Sequence, residues 1–235
     1  MGKHSNIAII PARGGSKRIK NKNIKLFNGK PIIAYPIAEI QKSGLFSRVI
    51  VSTDSREIAD VSEKLGAEVP FTRPDNISDD HSTLAKVVEH ALDWYKKKGE
   101  TFAYACCTLA TAPFVEAEQI KAGYDLITQR KVGSVISVAR HGFPVLRSFT
   151  INTEGFLQMQ WPDHELARSN DLPDFYHDAG QFYWLDVPLF LKKKKIFSRD
   201  ALPIILPRHM VQDIDTIEDW ERAELLCKVK QMERS

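Results

Sequence analysis

The loop after the first predicted strand carries the residues with the clearest chemistry. Residues 7–18 read IAIIPARGGSKR, an apolar run that leads into two adjacent glycines, Gly14 and Gly15. Such glycines let backbone N–H groups come close to phosphate oxygens. The loop and the residues just after it add three cations that suit a polyphosphate: Arg13, Lys17 and Lys22. The pattern matches neither the P-loop nor G-x-G-x-x-G, and a loop of solvated surface cations is the alternative.

A pair of carboxylates stands near the other end of the chain. In VQDIDTIEDW, residues 211–220, Asp213 and Asp215 are spaced i and i+2. In an extended segment both side chains leave from one face, where they can meet one Mg²⁺ ion. The alternative is a helix N-terminus capped by Thr216 or Asp215, with Asp219 purely structural. Both interpretations can hold together.

The basic loop and the carboxylate pair together indicate transfer at phosphorus. Because Walker and kinase signatures are missing, nucleotidyl transfer with loss of pyrophosphate is favoured over transfer of a γ-phosphate. A non-catalytic nucleotide-binding protein would be expected to lack a metal carboxylate or a loop lysine, and Lys17, Lys22, Asp213 and Asp215 are all present. Nucleic-acid binding is disfavoured, because basic residues are not interleaved with aromatic ones.

The elements that must position these residues alternate between strand and helix. Apolar strand-like runs are predicted at 6–11, 48–54, 102–107 and 132–139, and helices at 31–44, 55–66, 82–99 and 217–232. This order predicts a three-layer α/β/α fold with a mainly parallel sheet. Ligands of such sheets lie at the carboxyl ends of the strands. Polar loops follow the strands at 12–23, 52–55, 108–113 and 207–216.

The regular alternation changes at residues 141–178. The sequence FTINTEGFLQMQWP predicts a β-hairpin, which is either an inserted lid or dimerisation arm or an edge hairpin of the main sheet. We expect the parallel pattern to resume with GQFYWL, residues 180–185. The whole chain, 1–235, is predicted to be a single domain that carries this arm.

Composition limits the class of protein. The chain has 33 Lys and Arg against 30 Asp and Glu, a net charge of +3 that is too small to indicate nucleic acid as the main partner. Cys106 and Cys107 are adjacent and unsuited to a disulfide, which favours a reducing compartment. The segment MGKHSN has no signal-peptide layout, and no run is long enough for a membrane helix. We therefore expect a cytoplasmic protein.

Four stretches together resemble one enzyme family. IPARGGSKRIKNKNI, VSTDS, GAEVPFTRP and DIDTIEDW are similar to the CMP-sugar-acid synthetases, the cytidylyltransferases that activate nonulosonic acids such as sialic acid. The similarity covers residues 6–228. It implies a Rossmann-like, glycosyltransferase-A-like nucleotidyltransferase fold, CTP as a substrate, Mg²⁺ as the metal, and a homodimer in which the arm at 141–178 swaps across subunits.

The same resemblance implies roles for individual residues. Lys22 would neutralise charge at the α-phosphate, with Arg13 and Asp215 as its catalytic partners. Asp213 and Asp215 would hold Mg²⁺. The nucleotide would be bound by Arg13, Gly14, Ser16, Lys17, Asn23 and Arg73. The C2 hydroxyl of the sugar acid would attack the α-phosphorus in line and release pyrophosphate.

One branch of the family is the most similar. YHDAGQFYW, TAPF and ILPRHMVQDIDT resemble the branch that activates pseudaminic acid for surface glycans or flagellin. Sialic-acid enzymes tend to carry an Asn-Gly-Ala motif where this chain has residues 177–181, and a glutamine where it has Leu109. The nine-carbon substrate is therefore expected to be pseudaminic acid, with legionaminic or sialic acid as the alternative.

The sugar is expected to contact residues late in the chain: Arg168, His177, Asp178 and Gln181. Arg168 could bind the substrate carboxylate through two hydrogen bonds, or it could form only a salt bridge at the rim. Adjacent residues of a strand point to opposite faces, so His177 is expected to be a hydrogen-bonding contact and not half of a dyad with Asp178.

Overall fold

The computed structural model describes residues 5–232, so the first four residues of MGKHSN lie outside the described part. Its central sheet has six strands in the order β10-β6-β9-β5-β1-β4. These strands are β1 Asn6–Pro11, β4 Arg48–Ser52, β5 Tyr104–Thr108, β6 Ser134–Arg140, β9 Tyr176–Asp186 and β10 Leu202–Leu206. Two small hairpins add β2 Leu26–Phe27 with β3 Lys30–Pro31, and β7 Phe149–Ile151 with β8 Leu157–Met159.

Within residues 5–232 there are six α-helices: α1 Ala34–Ser43, α2 Arg56–Lys64, α3 Leu84–Lys97, α4 Ala117–Arg130, α5 Val187–Lys193 and α6 Ile217–Met232. One buried cluster joins α1, α2 and α4 to one face of the sheet, and a second joins α3 and α5 to the other face. A third packs α6 against the β2–β3 hairpin through Phe27 and Trp220. The prediction of an α/β/α sandwich is confirmed.

Strand β9 runs against its neighbours, which corrects the expected parallel continuation. It pairs antiparallel with both β5 and β6, whereas β1, β4 and β5 are parallel to one another and β10 is parallel to β6. The reason is the insertion at 141–175, which leaves the carboxyl end of β6 and returns the chain to that same edge of the sheet. The β-hairpin expected within the insertion is confirmed, with Phe149 opposite Met159.

Local capping fixes the loops that reach the site. The Ser55 hydroxyl accepts a hydrogen bond from the Ile58 N–H at 3.4 Å and begins α2 directly after β4. Gly66 has φ +82° just beyond the end of α2, a conformation that glycine adopts without strain. Both signals were readable in the sequence. None of the helices within residues 5–232 is long and apolar enough to span a bilayer.

Candidate active site

A cavity of about 610 Å³ opens at the carboxyl ends of β1 and β5. Seven of the residues predicted for the nucleotide and the metal line it: Arg13, Ser16, Lys17, Lys22, Asn23, Arg73 and Asp215. These residues come from three regions that are far apart in the chain. The fold therefore brings the basic loop and part of the carboxylate segment to one place.

Gly14 and Asn23 make hydrogen bonds that fix the conformation of the basic loop. The Gly14 N–H donates to Asp54 Oδ1 at 2.9 Å, so it is directed at β4 and is not offered to the cavity. A Cβ on Gly14 would lie 2.9 Å from the Ser55 Cβ, so the close approach requires glycine. The Asn23 amide donates to the Arg13 carbonyl at 2.9 Å. Both residues hold the loop, which differs from the direct phosphate contact expected of Gly14.

Asp80 occupies the position between the loop cations. Its two carboxylate oxygens lie 2.5 Å from Arg13 Nη1 and 2.5 Å from Lys17 Nζ. These contacts, with Lys17 first, lower the pKa of Asp80 to about 2. Asp80 was not among the residues predicted for the site, although the Asp79-Asp80 run shortly after Arg73 was a signal. An anion already bridges the cations that are predicted to hold phosphate.

Arg73 is a buried cation without a full set of partners. Its side chain is 3% exposed, and Nε donates to Ser78 Oγ at 3.2 Å. Nη2 lies 3.6 Å from Asp54 Oδ1 and has no hydrogen-bond partner within the described residues. Burial lowers the pKa of Arg73, and the nearby Asp54 opposes this shift. A buried donor of this kind suits an acceptor oxygen supplied by a ligand.

Lys22 connects the basic loop to the carboxylate segment. Its Nζ donates to the Ile214 carbonyl at 2.6 Å and lies 3.4 Å from Asp215 Oδ1. Arg18, which the sequence analysis did not single out, approaches the same Asp215 oxygen at 2.8 Å through Nη2. Asp215 is therefore held at the edge of the cavity by two cations.

The carboxylates of the 213–219 segment divide into two kinds. Asp219 Oδ2 accepts hydrogen bonds from the N–H groups of Thr216 at 2.8 Å and Asp215 at 3.1 Å, and Thr216 Oγ1 accepts one from the Asp219 N–H at 3.2 Å. Thr216 therefore caps α6, as predicted, and Asp219 completes this capping box. Partial burial raises the pKa of Asp213, and the charge of Asp215 raises it further. The charge of Asp215 acts on the Asp213 carboxyl more strongly than the charge of Asp219 does.

The donor set fits a divalent ion only in combination with a substrate. Within residues 5–232, no three His, Cys, Asp or Glu side chains form a group that could hold a metal. Asp213 and Asp215 offer two carboxylates, and Mg²⁺ commonly takes one or two carboxylates, water and substrate phosphate oxygens. The residues present fit that mode of binding.

Asp178 and Gln181 lie on β9, and neither lines the first cavity. Asp178 accepts hydrogen bonds from Tyr183 Oη at 2.8 Å and from the Gly180 N–H at 2.9 Å. Burial raises the pKa of Tyr183, and the charge of Asp178 adds to the shift. The Gln181 amide donates to the Met210 carbonyl, while its buried Oε1 has no hydrogen-bond partner among the described residues. The Gln181 side chain thus ties β9 to the segment at 211–216 and leaves one buried acceptor unpaired among the described residues.

His177 and Arg168, both predicted to contact the sugar, do not line the first cavity. His177 lines a second cavity of about 540 Å³, which Asp178 does not line, as strand alternation predicts for neighbours. Arg168 lines neither cavity, and its side chain is 83% exposed. It pairs with Asp171, with 2.8 Å between Nε and Oδ2, because a 3₁₀ turn at Ser169–Asp171 places the two side chains together. The structure thus has the rim salt bridge that was the alternative for Arg168.

Comparisons with known proteins agree with this geometry. A family model described as cytidylyltransferase matches residues 7–232. The chain is 39% identical to a pseudaminic acid cytidylyltransferase of Campylobacter jejuni, over 95% of this chain and 97% of the relative. It is 30% identical to a CMP-N,N'-diacetyllegionaminic acid synthase of Legionella pneumophila, over 96% and 97% of the two chains.

Two solved structures share the fold at low sequence identity. A CMP:2-keto-3-deoxy-manno-octonic acid synthetase complexed with CTP superposes with a TM-score of 0.68 and 13% identity, covering 96% of this chain and 99% of that one. A 4-diphosphocytidyl-2C-methyl-D-erythritol synthase from Anaerococcus prevotii gives a TM-score of 0.66 and 15% identity, with the same coverage.

Proposed function

Because the chain belongs to the cytidylyltransferase family, we propose that it joins CTP and pseudaminic acid to give CMP-pseudaminic acid and pyrophosphate. The choice of sugar is supported by 39% identity to the Campylobacter jejuni enzyme against 30% to the legionaminic acid relative, each over nearly the full length of both chains. Legionaminic acid or sialic acid remains the alternative acceptor.

The observation that carries the reaction type is the cation set of the first cavity. Arg13 and Lys17 bind the triphosphate when their ion pairs with Asp80 break. The unpartnered Nη2 of Arg73 donates a hydrogen bond to an oxygen of the nucleotide. Lys22 lies at the junction of the loop and Asp215, where it neutralises charge that develops at the α-phosphate. Ser16 lines the same cavity and donates to a phosphate oxygen.

Asp213 and Asp215 hold Mg²⁺ in this proposal. The raised pKa of Asp213 supports this role, because a carboxylate near another carboxylate is stabilised when a cation binds between them. When bound, the ion neutralises phosphate oxygens and orients them for in-line displacement. The chain's own residues then orient the acceptor: Gln181 and Asp178 contact the sugar, and its C2 hydroxyl attacks the α-phosphorus. Arg168 as a carboxylate ligand stays a prediction.

The inserted segment, predicted at 141–178 but ending at residue 175 because β9 begins at Tyr176, is proposed to be the arm of a homodimer within a one-domain chain. Its apolar side chains face solvent, with Phe143 at 84% exposure and Leu166 at 95%. Exposed apolar residues also flank the hairpin turn: Ile151, Phe156 and Leu157. A second copy that packs against this surface would bury them.

The cytoplasm is the proposed location, and CMP-activated sugar for surface glycans or flagellin is the proposed product.

The direct test is pyrophosphate release from CTP in the presence of Mg²⁺ and a panel of nonulosonic acids. We expect pseudaminic acid to give the largest kcat/KM. Preference for sialic, legionaminic or an octulosonic acid would overturn the assignment of the sugar. Tight CTP binding without turnover on any acid would instead favour a non-catalytic nucleotide-binding protein.

A further inference from the structure

Arg18 lies against the carboxylate segment inside the first cavity. It follows Lys17 in the basic loop, and both Arg18 and Asp215 line the cavity. Arg18 Nη2 lies 2.8 Å from Asp215 Oδ1, and Lys22 Nζ lies 3.4 Å from the same oxygen. A guanidinium is therefore paired with a carboxylate that is proposed to bind Mg²⁺.

The two cations on Asp215 are held very differently. The Lys22 side chain is 21% exposed and also donates to the Ile214 carbonyl, so its position is fixed by a second partner. The Arg18 side chain is 66% exposed and forms no other ion pair or hydrogen bond within residues 5–232. Exposed ion pairs of this kind contribute little to stability, so Arg18 can leave Asp215 readily while Lys22 stays.

A guanidinium and a divalent ion compete for the Asp215 carboxylate. Mg²⁺ binds carboxylate oxygens at about 2 Å in a nearly octahedral arrangement, which leaves little room for a cation on the same oxygen. The two positive charges also repel each other at such short separation. Arg18 therefore lowers the affinity of this carboxylate for a metal as long as the ion pair persists.

Asp80 makes the complementary arrangement on the phosphate side. Its carboxylate oxygens lie 2.5 Å from Arg13 Nη1 and 2.5 Å from Lys17 Nζ. The cations proposed for the triphosphate thus have a carboxylate of the protein, and the carboxylate proposed for the metal has a cation of the protein. Because Arg18 directly follows Lys17, a phosphate bound at Lys17 offers the Arg18 guanidinium another anion.

We propose that Arg18 makes metal binding depend on the nucleotide. It is paired with Asp215 until the phosphates of CTP attract the guanidinium away, and the freed carboxylate then accepts Mg²⁺. Arg18 is thus a positioning residue that keeps a divalent ion from binding ahead of CTP. The inference rests on the proposed function, which supplies CTP as the nucleotide and Asp215 as a metal ligand.

The first test titrates the CTP-free protein with Mn²⁺, a paramagnetic probe whose free concentration is measured by electron paramagnetic resonance. Arg18→Ala is expected to bind Mn²⁺ about tenfold more tightly than wild type, because one nearby positive charge is removed. Arg18→Lys keeps that charge and should stay close to wild type. Lys20→Ala, which removes an exposed cation of the same loop, is the matched control and should also resemble wild type.

A second measurement follows the thermal midpoint with Mn²⁺ alone and with Mn²⁺ and CTP. Wild type should gain stability mainly when both are present, whereas Arg18→Ala should already gain with Mn²⁺ alone. Asp215→Asn added to Arg18→Ala should remove that gain, which would locate the effect at this carboxylate. Circular dichroism verifies that each variant is folded.

Two results would overturn the role of Arg18. One is an Arg18→Ala variant that binds Mn²⁺ no more tightly than wild type, as expected if the ion pair were only structural. The other is a wild type that gains as much thermal stability from Mn²⁺ alone as from Mn²⁺ with CTP. Neither measurement needs a sugar acid, so a failure of pyrophosphate release on every acid would refute the proposed function and leave the Mn²⁺ result as a separate outcome.

Discussion

Lys22 Nζ donates a hydrogen bond to the main-chain oxygen of Ile214 at 2.6 Å, across 192 residues of chain. This contact joins the basic loop after β1 to the segment that carries Asp213 and Asp215, the two carboxylates proposed to bind the metal. It also places the ammonium group 3.4 Å from Asp215 Oδ1. The Lys22 side chain thus holds the basic loop against the carboxylate segment and supplies a positive charge where the two meet.

Replacement of Lys22 should therefore affect turnover much more than folding. For Lys22→Met we expect kcat to fall by about two orders of magnitude, the typical loss when a preorganised group that stabilises the transition state is removed. The measurement is steady-state pyrophosphate release, with circular dichroism to verify the fold. Lys20→Met, in the same loop but exposed, is the control and should retain activity. Near-normal kcat in Lys22→Met would contradict the role.

Asp80→Asn should lower KM for CTP. The carboxylate of Asp80 competes with phosphate for Arg13 and Lys17, and its removal frees both cations. The difference between variant and wild type should shrink at high salt, because these groups are partly exposed and screened. Asp79→Asn, whose carboxylate contacts Ser82 instead, is the comparison. A higher KM in Asp80→Asn would mean that Asp80 positions the cations and does not compete with the nucleotide.

Asp213→Asn should stabilise the metal-free protein at neutral pH. Because the pKa of Asp213 is raised in the folded state, its charged form costs stability once the pH exceeds its ordinary value near 3.8, and below that value the cost is absent. Thermal midpoints measured from pH 3 to pH 7 should thus diverge between variant and wild type as the pH rises. Midpoints that stay parallel over this range would contradict the shift.

Addition of Mg²⁺ with CTP should reverse the order of thermal stability of Asp213→Asn and wild type. Wild type should gain thermal stability on addition of Mg²⁺ with CTP, whereas Asp213→Asn should gain less, since one of two carboxylate ligands is lost. Asp219→Ala is a useful comparison: its carboxylate accepts two backbone hydrogen bonds at the start of α6, so this variant should lose stability with or without the ion, by about 1 kcal/mol. Equal stabilisation of wild type and Asp213→Asn by Mg²⁺ would argue against the metal role.

Polar substitutions on the arm should change the oligomeric state. Phe156→Ser with Leu157→Ser is expected to convert a dimer into monomers without loss of secondary structure, because both side chains are exposed in the single chain. Light scattering coupled to size exclusion measures this directly. Phe197→Ser, an exposed aromatic outside the arm, should leave the dimer intact. A wild type that is monomeric at all concentrations would refute the arm.

Much of the fold was readable from the sequence, for physical reasons. The apolar run at β1, the Ser55 cap and the Gly66 stop of α2, and the turn residues of the β7–β8 hairpin are local signals, and each predicted the element that forms. The location of ligand groups at the carboxyl ends of strands follows from the α/β alternation alone. The residue types of the loop and of the 213–215 pair indicated phosphate and metal before any distance was known.

Other features were decided only by tertiary contacts. The reversed direction of β9 depends on where the arm returns the chain, and no local pattern encodes that. Asp80 reaches Arg13 and Lys17, and Lys22 reaches Ile214, only because distant segments pack together. The residue types alone establish which chemical groups are available. Packing of the chain selects which of them face one another, because the energy of each pair depends on distance and burial, and both arise only when the chain is packed.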